Sequence, residues 1–584
     1  MNVLATPSQR ANLGHSGFDM SQLTKFSSTT GELLPVYYDL LYPNDKVSVQ
    51  VELKTRTMPL DSAAMVSLTE HVDWFAVPLD QLYRFFSQQY YAILDNHSSA
   101  FEGSQVIADF PIFNPESFND ALMLSVAADD KYFDGTNIEG KPLFGTANRF
   151  LELLDIPINN YNEWDSDTGL DNYRYSCSPF LIAAYQKIYM DYFRLSDREL
   201  NNPRCYNLDI GYDDEDFYDS SEIENFLVLR YRPKKRDFFT HLYVSPLFMT
   251  NSIGGSASQD ILSQFHQWLV PTQFAEGVSD YGTAKTNIYP SGIGAAYSSV
   301  TANAIRNALS PQSIKTSFAL NKLLEVTRRA GKHIDQQTLA HFGVQPNKFV
   351  TGEVRHLAHH SQKVVIGDVI STAETSEAAL GQVGGKGYGY GKSKRFTYKN
   401  EEACPVILMA IYSAEVDMDY KITGIGRFNT YVTMADFYNP AFDNLGLAPL
   451  FAYQSFYNMS NKLADVSWNN TVLGWQFRWM ESKIKYNRVA GSLARSLDNW
   501  SVWTEYQTSL LNSFLVSPFS LDSIMVTPYQ FEGDSFNTLS AYGLNPGTED
   551  YVRSNAFNYD PLIHEFYADV KKSSTMSTFG LEQL

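Results

Sequence analysis

The densest run of residues suited to chemistry is Gly384-Gly385-Lys386-Gly387-Tyr388-Gly389-Tyr390-Gly391-Lys392-Ser393. Glycine lets backbone N–H groups close around a phosphate, and a terminal Gly-Lys-Ser would add an ammonium and a hydroxyl. Such a loop requires glycine, four residues, then Gly-Lys-Ser or Gly-Lys-Thr. Counted back from Gly391, that first position holds Lys386, and Gly385 stands one residue too early. No clear strand precedes the run and no amphipathic helix follows. It is read as a flexible, glycine-rich loop.

Three other clusters offer chemistry. His356, His359 and His360 supply imidazoles, but no cysteine pair and no His-Glu-x-x-His accompanies them. They are read as solvated or interfacial histidines, and no metal site is assigned. Asp213-Asp214-Glu215-Asp216 is an oxygen-rich run that lacks the glycine and terminal glutamate of a calcium loop. A solvated acidic loop is the expectation, with calcium at a subunit contact as the alternative. Arg230-Tyr231-Arg232-Pro233-Lys234-Lys235-Arg236 follows it. It could meet phosphate, but pairing with the adjacent acids is the expected use. No Ser/His/Asp motif, nucleophile elbow or distinctive carboxylate pair is visible, so no catalytic residue and no cofactor is assigned.

The elements that would position these groups read as mainly β. Val47-Ser48-Val49-Gln50-Val51-Glu52-Leu53 alternates apolar and polar residues, as a half-buried strand does. Residues 66–77 repeat the pattern and end at Pro78. Strands are also expected over 363–370, 406–412, 419–433 and 474–489. Two helices are expected. One covers 179–194, where Ile182, Tyr185, Tyr189 and Tyr192 recur at helical spacing. The other covers 313–330, where Ala319, Leu323, Val326 and Ala330 share a face and Gly331 stops it. Strands near both ends, with helices and loops between, point to one β-barrel or sandwich with large insertions. A jelly roll fits, because it closes most sheet edges.

Composition narrows the function classes. The chain has 584 residues, 44% hydrophobic and 19% charged, the latter below the roughly 25% of ordinary soluble domains. It holds 37 Tyr and 38 Phe. Aromatic richness with sparse charge suits a chain that hides surface against neighbours. The formal net charge of -20 is unlike that of a general nucleic-acid binder. An enclosed nucleic acid would need a locally basic face or a separate cationic partner. Cys177, Cys205 and Cys404 are too few for a disulfide framework and are read as buried thiols. The first residues lack a signal-peptide pattern, and 403–412 is too short to cross a bilayer, so no membrane insertion is expected.

Residues 474–500 join an aromatic, charge-alternating segment to Arg488-Val489-Ala490-Gly491 and Leu497-Asp498-Asn499-Trp500. Upstream stand Phe18-Asp19-Met20-Ser21, the stretch Gly31 to Tyr38, Tyr42-Pro43-Asn44-Asp45 and Asp73-Trp74-Phe75-Ala76-Val77-Pro78. Further on come Lys234-Lys235-Arg236-Asp237-Phe238-Phe239-Thr240, Arg329-Ala330-Gly331-Lys332, His341-Phe342-Gly343-Val344 and the stretch Asp436 to Phe442. In this order the set resembles the major capsid proteins of the microviruses, small single-stranded DNA phages, and their gokushovirus-like branch in particular. The family has glycine where Asn44 stands. It continues the Lys/Arg-rich motif with Pro-Gln-Lys-Gly, which is missing after Thr240.

The resemblance implies an eight-stranded antiparallel jelly-roll barrel with long inserted loops and a few helices. It implies about sixty copies closing a T=1 icosahedral shell around circular single-stranded DNA. One capsid domain would then span 1–584. Residues 1–30 form an N-terminal arm, 31–120 the first barrel strands, 121–360 large insertions with a surface protrusion, and 361–584 the remaining strands, loops and tail. Expected partners are identical subunits, packaged DNA met through a small basic protein, and a receptor on the bacterial surface. The expected location is the virion, assembled in the host cytoplasm. Arg553, Lys571 and Lys572 are the residues expected to face DNA. A β-rich carbohydrate-active enzyme or a cell-surface binding protein is the competing reading.

Overall fold

A strand whose side chains alternate between core and water folds only if its neighbours alternate in step. Residues 46–57 show this most plainly: Val47, Val49, Val51 and Leu53 are fully buried, and every second residue between them faces outward. The computed structural model describes residues 14–28, 31–57, 67–91, 151–156, 178–194, 201–209, 352–370, 383–417, 472–494 and 562–578. It also describes residues 65, 110, 111, 503 and 504, and parts of 226–243, 319–346 and 419–455.

Among the described residues, ten strands form one sheet in which every pairing is antiparallel. They are β1 (Ser16–Asp19), β2 (Gln22–Ser28), β3 (Leu34–Leu41), β4 (Lys46–Thr57), β5 (Leu68–Pro78), β6 (Arg355–Ile370), β7 (Val383–Lys392), β8 (Phe396–Lys399), β9 (Val406–Val416) and β15 (Leu562–Ser574). The order is β1-β15-β4-β7-β6-β5-β9-β3, with β2 also on β15 and β8 also on β4. The sheet curls until its two ends touch. Tyr37 Oη on β3 donates to the Met20 carbonyl at 3.2 Å, and Lys572 Nζ on β15 donates to the Leu40 carbonyl at 2.6 Å. The protein is therefore mainly β, built on a curled antiparallel sheet.

The concave face holds the core: Val49, Val51, Leu53, Val72, Trp74, Leu408, Tyr412, Phe566 and Val570 are all sealed from solvent. Each fully buried side chain of this size contributes about 1.5–3 kcal/mol. Residues 72–78 of β5 and most of β9 are buried on both faces. The second face of that part of the sheet is covered by the Phe180–Ile188 helix, with Ile182, Ala183 and Tyr185 buried against it. Tyr185 Oη donates to the Leu33 carbonyl at 2.9 Å, which pins the insertion to the start of β3.

Several expectations need correcting. The glycine-rich run is strand β7, not a flexible loop. The α-helix expected over 179–194 ends at Ile188, and Tyr189–Phe193 continue as a π-turn. Among the described residues of 419–433, β10 (Asp419–Lys421) is a strand and a 3-10 turn occupies Arg427–Thr430. Residues 474–489 split into the end of β12 (Val472–Phe477), a helical turn at Met480–Lys483 and β13 (Arg488–Val489). Of the expected arm, residues 14–28 are described, and within them β1 and β2 pair with β15. The described residues of 319–330 are helical, as expected.

Asn44 has φ 72°, in the left-handed region. Asparagine is one of the few side chains that tolerates it, which explains why it can replace a glycine there. Asp45 closes the turn, its N–H donating to the Tyr42 carbonyl at 3.0 Å and its Oδ2 accepting from the Tyr42 N–H at 2.9 Å.

A smaller core stands apart. Phe238, Phe239, Leu242, Tyr420, Leu450 and Met480 pack together. Around it β11 (Leu447–Phe451) pairs antiparallel with β12, and β10 runs parallel to β13 and β14 (Trp503–Thr504).

Candidate functional site: the outward sheet face, an apolar ridge and two carboxylate–histidine clusters

Strand β7 sends Gly387, Gly389 and Gly391 inward and its Lys and Tyr side chains outward. A Cβ on Gly387 would strike the Thr57 methyl, and one on Gly391 would strike Gln362 Oε1. Only glycine permits this approach, so the inward positions are fixed by packing. The outward positions, Lys386, Tyr388, Tyr390 and Lys392, are exposed. Register places Arg56 beside Tyr388 and Lys54 beside Tyr390, with Val365 on the far side of Tyr388. Lys363 is exposed on the same face of β6. Acids temper this face. Lys54 Nζ lies 2.8 Å from Glu565, and Lys392 and Arg395 contact Glu52 and Asp569. The result is a basic, tyrosine-bearing surface on a strongly acidic chain.

A second surface is apolar. Val432 is 85% exposed, Met434 91% and Phe428 69%, with Phe437 and Tyr438 also exposed. The segment is held from behind. Trp479 Nε1 donates to the Asp436 carbonyl at 2.8 Å, and the Val432 N–H donates to Asp436 Oδ2 at 3.0 Å. Tyr431 contacts Glu481, and its ring lies 5.3 Å from both Phe428 and Phe437. These residues form an ordered ridge of apolar side chains rather than a collapsed loop.

Strand β5 carries two carboxylates on opposite faces. Glu70 points to the concave side of the sheet and is completely buried. Its Oε1 accepts from Thr55 Oγ1 at 2.6 Å and Tyr412 Oη at 2.7 Å, and its Oε2 accepts from Gln362 Nε2 at 2.6 Å. His564 Nδ1 lies 3.3 Å away, also buried. Burial pushes the Glu70 carboxyl up, but His564 and the Thr55 and Gln362 bonds outweigh it, leaving the pKa below the ordinary value. Burial, and after it the Glu70 charge, pushes the Tyr412 phenol well up.

Asp73 points to the other face and is 1% exposed. Its cross-strand partner is His359, and Asp73 Oδ1 lies 2.7 Å from His359 Nδ1 and 3.0 Å from His356 Nε2. Positions 356 and 359 would face opposite ways on a regular strand. The register slips between Trp74 and Phe75, so His356 opposes Phe75 while Ala358 opposes Trp74. This bulge turns His356 onto the face of His359. Arg232 donates to Asp73 Oδ2 and to Ser413 Oγ, both at 3.0 Å. Burial raises the Asp73 carboxyl, but the two imidazoles and the guanidinium overcome it and hold it well below the usual carboxylate range.

The sequence matches, over residues 168–542, the family described as "Capsid protein (F protein)". That is more than half of the 584 residues. The chain belongs to this phage capsid protein family. Capsid protein VP1 of Chlamydia phage 1 is 24% identical over 245 residues, covering 40% of this chain and 39% of that protein. The chain thus spans about two-fifths of the length of that curated relative. The expected microvirus resemblance is borne out. Among the described residues, no helix is long and apolar enough to cross a membrane.

For a capsid protein the sequence-selected residues take distinct places. Lys571 and Lys572 sit on β15 facing opposite ways. Lys571 is exposed and pairs with Asp19 at 2.5 Å and Asp569 at 3.5 Å. Lys572 is buried and committed to Asp39 at 3.2 Å and Asp45 at 3.7 Å. Arg553 lies outside the described residues, as do Asp213 to Asp216, Lys234, Lys235 and Cys177. Arg232 reaches the sheet carboxylates Asp73 and Glu415. His360 is separated from His356 and His359, its Nε2 buried near Gln362 and Gly391. Cys205 and Cys404 are buried cysteines, Arg230 Nη2 lies 3.6 Å from Cys205 Sγ, and burial pushes the Cys404 thiol up to about 12. Asp73 escaped sequence reading because a cross-strand partner leaves no trace in local spacing. The basic face was legible in the Gly-Lys-Gly-Tyr-Gly-Tyr-Gly-Lys alternation, which is a strand pattern with glycine as the buried residue.

Proposed function

We propose that this protein is the major capsid subunit of a microvirus-like phage. About sixty copies close a T=1 shell around circular single-stranded DNA. The curled sheet is taken as the jelly-roll barrel of that subunit, and the role as structural rather than enzymatic. The observation that carries the reading is the apolar ridge. An ordered ridge with Val432 and Met434 almost wholly in solvent is costly on a lone molecule and is what a subunit contact presents. Because Asp436, Trp479 and Glu481 already hold it in place, little ordering entropy is lost on docking. The ridge is assigned to the contact with a neighbouring copy.

The DNA-facing side is assigned to the outward sheet face bearing Lys54, Arg56, Lys363, Lys386, Tyr388 and Tyr390. Phosphates meet the cations and unpaired bases stack on tyrosine rings. Lys571 belongs with this group. Lys572 does not, because leaving Asp39 would strand a buried charge. Arg553 remains in the proposal on sequence grounds alone. A chain of net charge -20 still calls for a small basic protein to neutralise the rest of the genome. A bacterial surface receptor and assembly in the host cytoplasm complete the reading.

Electron microscopy and light scattering of the expressed protein test it. Closed particles of megadalton mass are expected. Val432→Asp with Met434→Asp should leave a folded monomer or small oligomer that no longer closes. Particles that form equally well with both substitutions would remove the ridge from the contact, and a chain that stays monomeric under all assembly conditions would end the proposal.

A further inference from the structure

The Asp73 cluster has features that neither shell closure nor DNA contact requires. His71 stacks on His359, with His71 Nδ1 3.4 Å from His359 Nε2, and Glu415 Oε2 lies 3.4 Å from His71 Nε2. On its inner side His359 Nδ1 lies 2.7 Å from Asp73 Oδ1. His356 Nε2 converges on the same oxygen at 3.0 Å, and the three ligand atoms lie within 4.8 Å of one another.

We propose that Asp73, His356 and His359 form a divalent-cation site suited to zinc. The ligand atoms are Asp73 Oδ1, His356 Nε2 and His359 Nδ1, and water completes the shell. Two imidazoles and one carboxylate are the donor set that borderline divalent metals take. Metal–ligand bonds of about 2.0–2.2 Å put neighbouring ligands about 3.4 Å apart, so a small retreat of the two rings from Asp73 makes room. Half-exposed His356 and His359 leave a path for the ion. The outer shell is in place. His71 and Glu415 hold His359, Tyr192 stacks on His356 at 4.9 Å, and Arg232 occupies the second Asp73 oxygen. The Arg232 charge opposes a second cation, but Glu415 lies 3.8 Å from its Nε and offsets it. The β6 bulge that aims His356 would otherwise be an unexplained break in a long, regular pairing. An ion here would rivet the barrel to the inserted segments carrying Tyr192 and Arg232.

Isothermal titration of the metal-free full-length chain with ZnCl2 tests this, with CoCl2 as an optical probe. The expected result is one ion per chain, proton release on binding, strong visible absorption from bound Co2+, and a melting temperature that rises with zinc. His356→Gln and His359→Gln should each weaken zinc by about tenfold or more, while His360→Gln leaves binding unchanged. Neither imidazole is buried deeply, so both variants should fold, and circular dichroism checks it. No heat and no Co2+ absorption with the parent chain would mean that a proton alone bridges His359 and Asp73, and would overturn the proposal. Unchanged binding in the double variant would overturn it equally. Neither result bears on particle formation, which is scored separately.

Discussion

Glu70 and Asp73 stand three residues apart on one strand, each joined to histidine, and the two faces of β5 make them different devices. Glu70 is enclosed. Thr55, Tyr412, Gln362 and His564 fill its acceptor positions, and all are buried. Asp73 is just as buried, but its histidine partners are half-exposed and the cluster opens to solvent through them. A closed polar cluster specifies a core, whereas an open one can exchange its cation. Side-chain periodicity alone decides which is which, since an odd spacing along a strand changes face.

The largest expected effect lies at the closed cluster. Glu70→Ala removes the acceptor for four buried groups at once. Breaking a buried pair in this way costs about 3–5 kcal/mol. Asp73→Asn retains shape and one acceptor oxygen, and its partners can turn to water, so about 1–3 kcal/mol is expected without added metal. Denaturant unfolding of each variant measures both. If the two losses are equal, the distinction between a sealed and an open cluster fails.

Much of this contrast lay beyond sequence reading, for a physical reason. Period-2 alternation showed β4 and β5, and strands were expected over the later part of β6 and the start of β9, because those patterns are local. The β7 run was misread as a loop because glycine usually breaks strands. Here Thr57, Val364 and Gln362 press against the backbone and leave no space for a Cβ. The extended strands expected over 419–433 and 474–489 are shorter strands broken by turns around the smaller core of Phe238, Tyr420 and Met480. The histidine pair was visible in sequence, but the carboxylate and guanidinium that complete it come from residues 73 and 232. Pairings at such separation leave no periodic signal.

Acid sharpens the comparison with a smaller effect. Both carboxyls sit below their ordinary values, so the folded chain binds fewer protons than the unfolded chain through that range. Their stabilisation is therefore complete above the unfolded values, about 4, and is lost as pH falls below them. Stability measured against pH should decline steeply on the acid side, and Asp73→Asn should flatten the decline. A slope unchanged in that variant would mean that Asp73 does not titrate differently in the two states. Glu70→Gln gives the matching measurement for the sealed cluster.

The smallest effect on stability, and the most telling for function, is expected on the outward face. Lys54 and Glu565 are both well exposed, and such pairs are screened by solvent. Lys54→Ala should leave the melting temperature unchanged. Combined with Arg56→Ala and Tyr390→Ala, it should weaken binding of a single-stranded oligothymidylate and reduce the salt dependence of that binding. Each phosphate left without its cation lowers the slope of log affinity against log salt by about 0.7 for a single strand. Removing two cations should therefore lower it by about 1.4, whereas the tyrosine should weaken affinity with little change in slope. An unaltered slope would assign DNA binding to another face and leave these cations as a solvated surface around the glycine-packed strand.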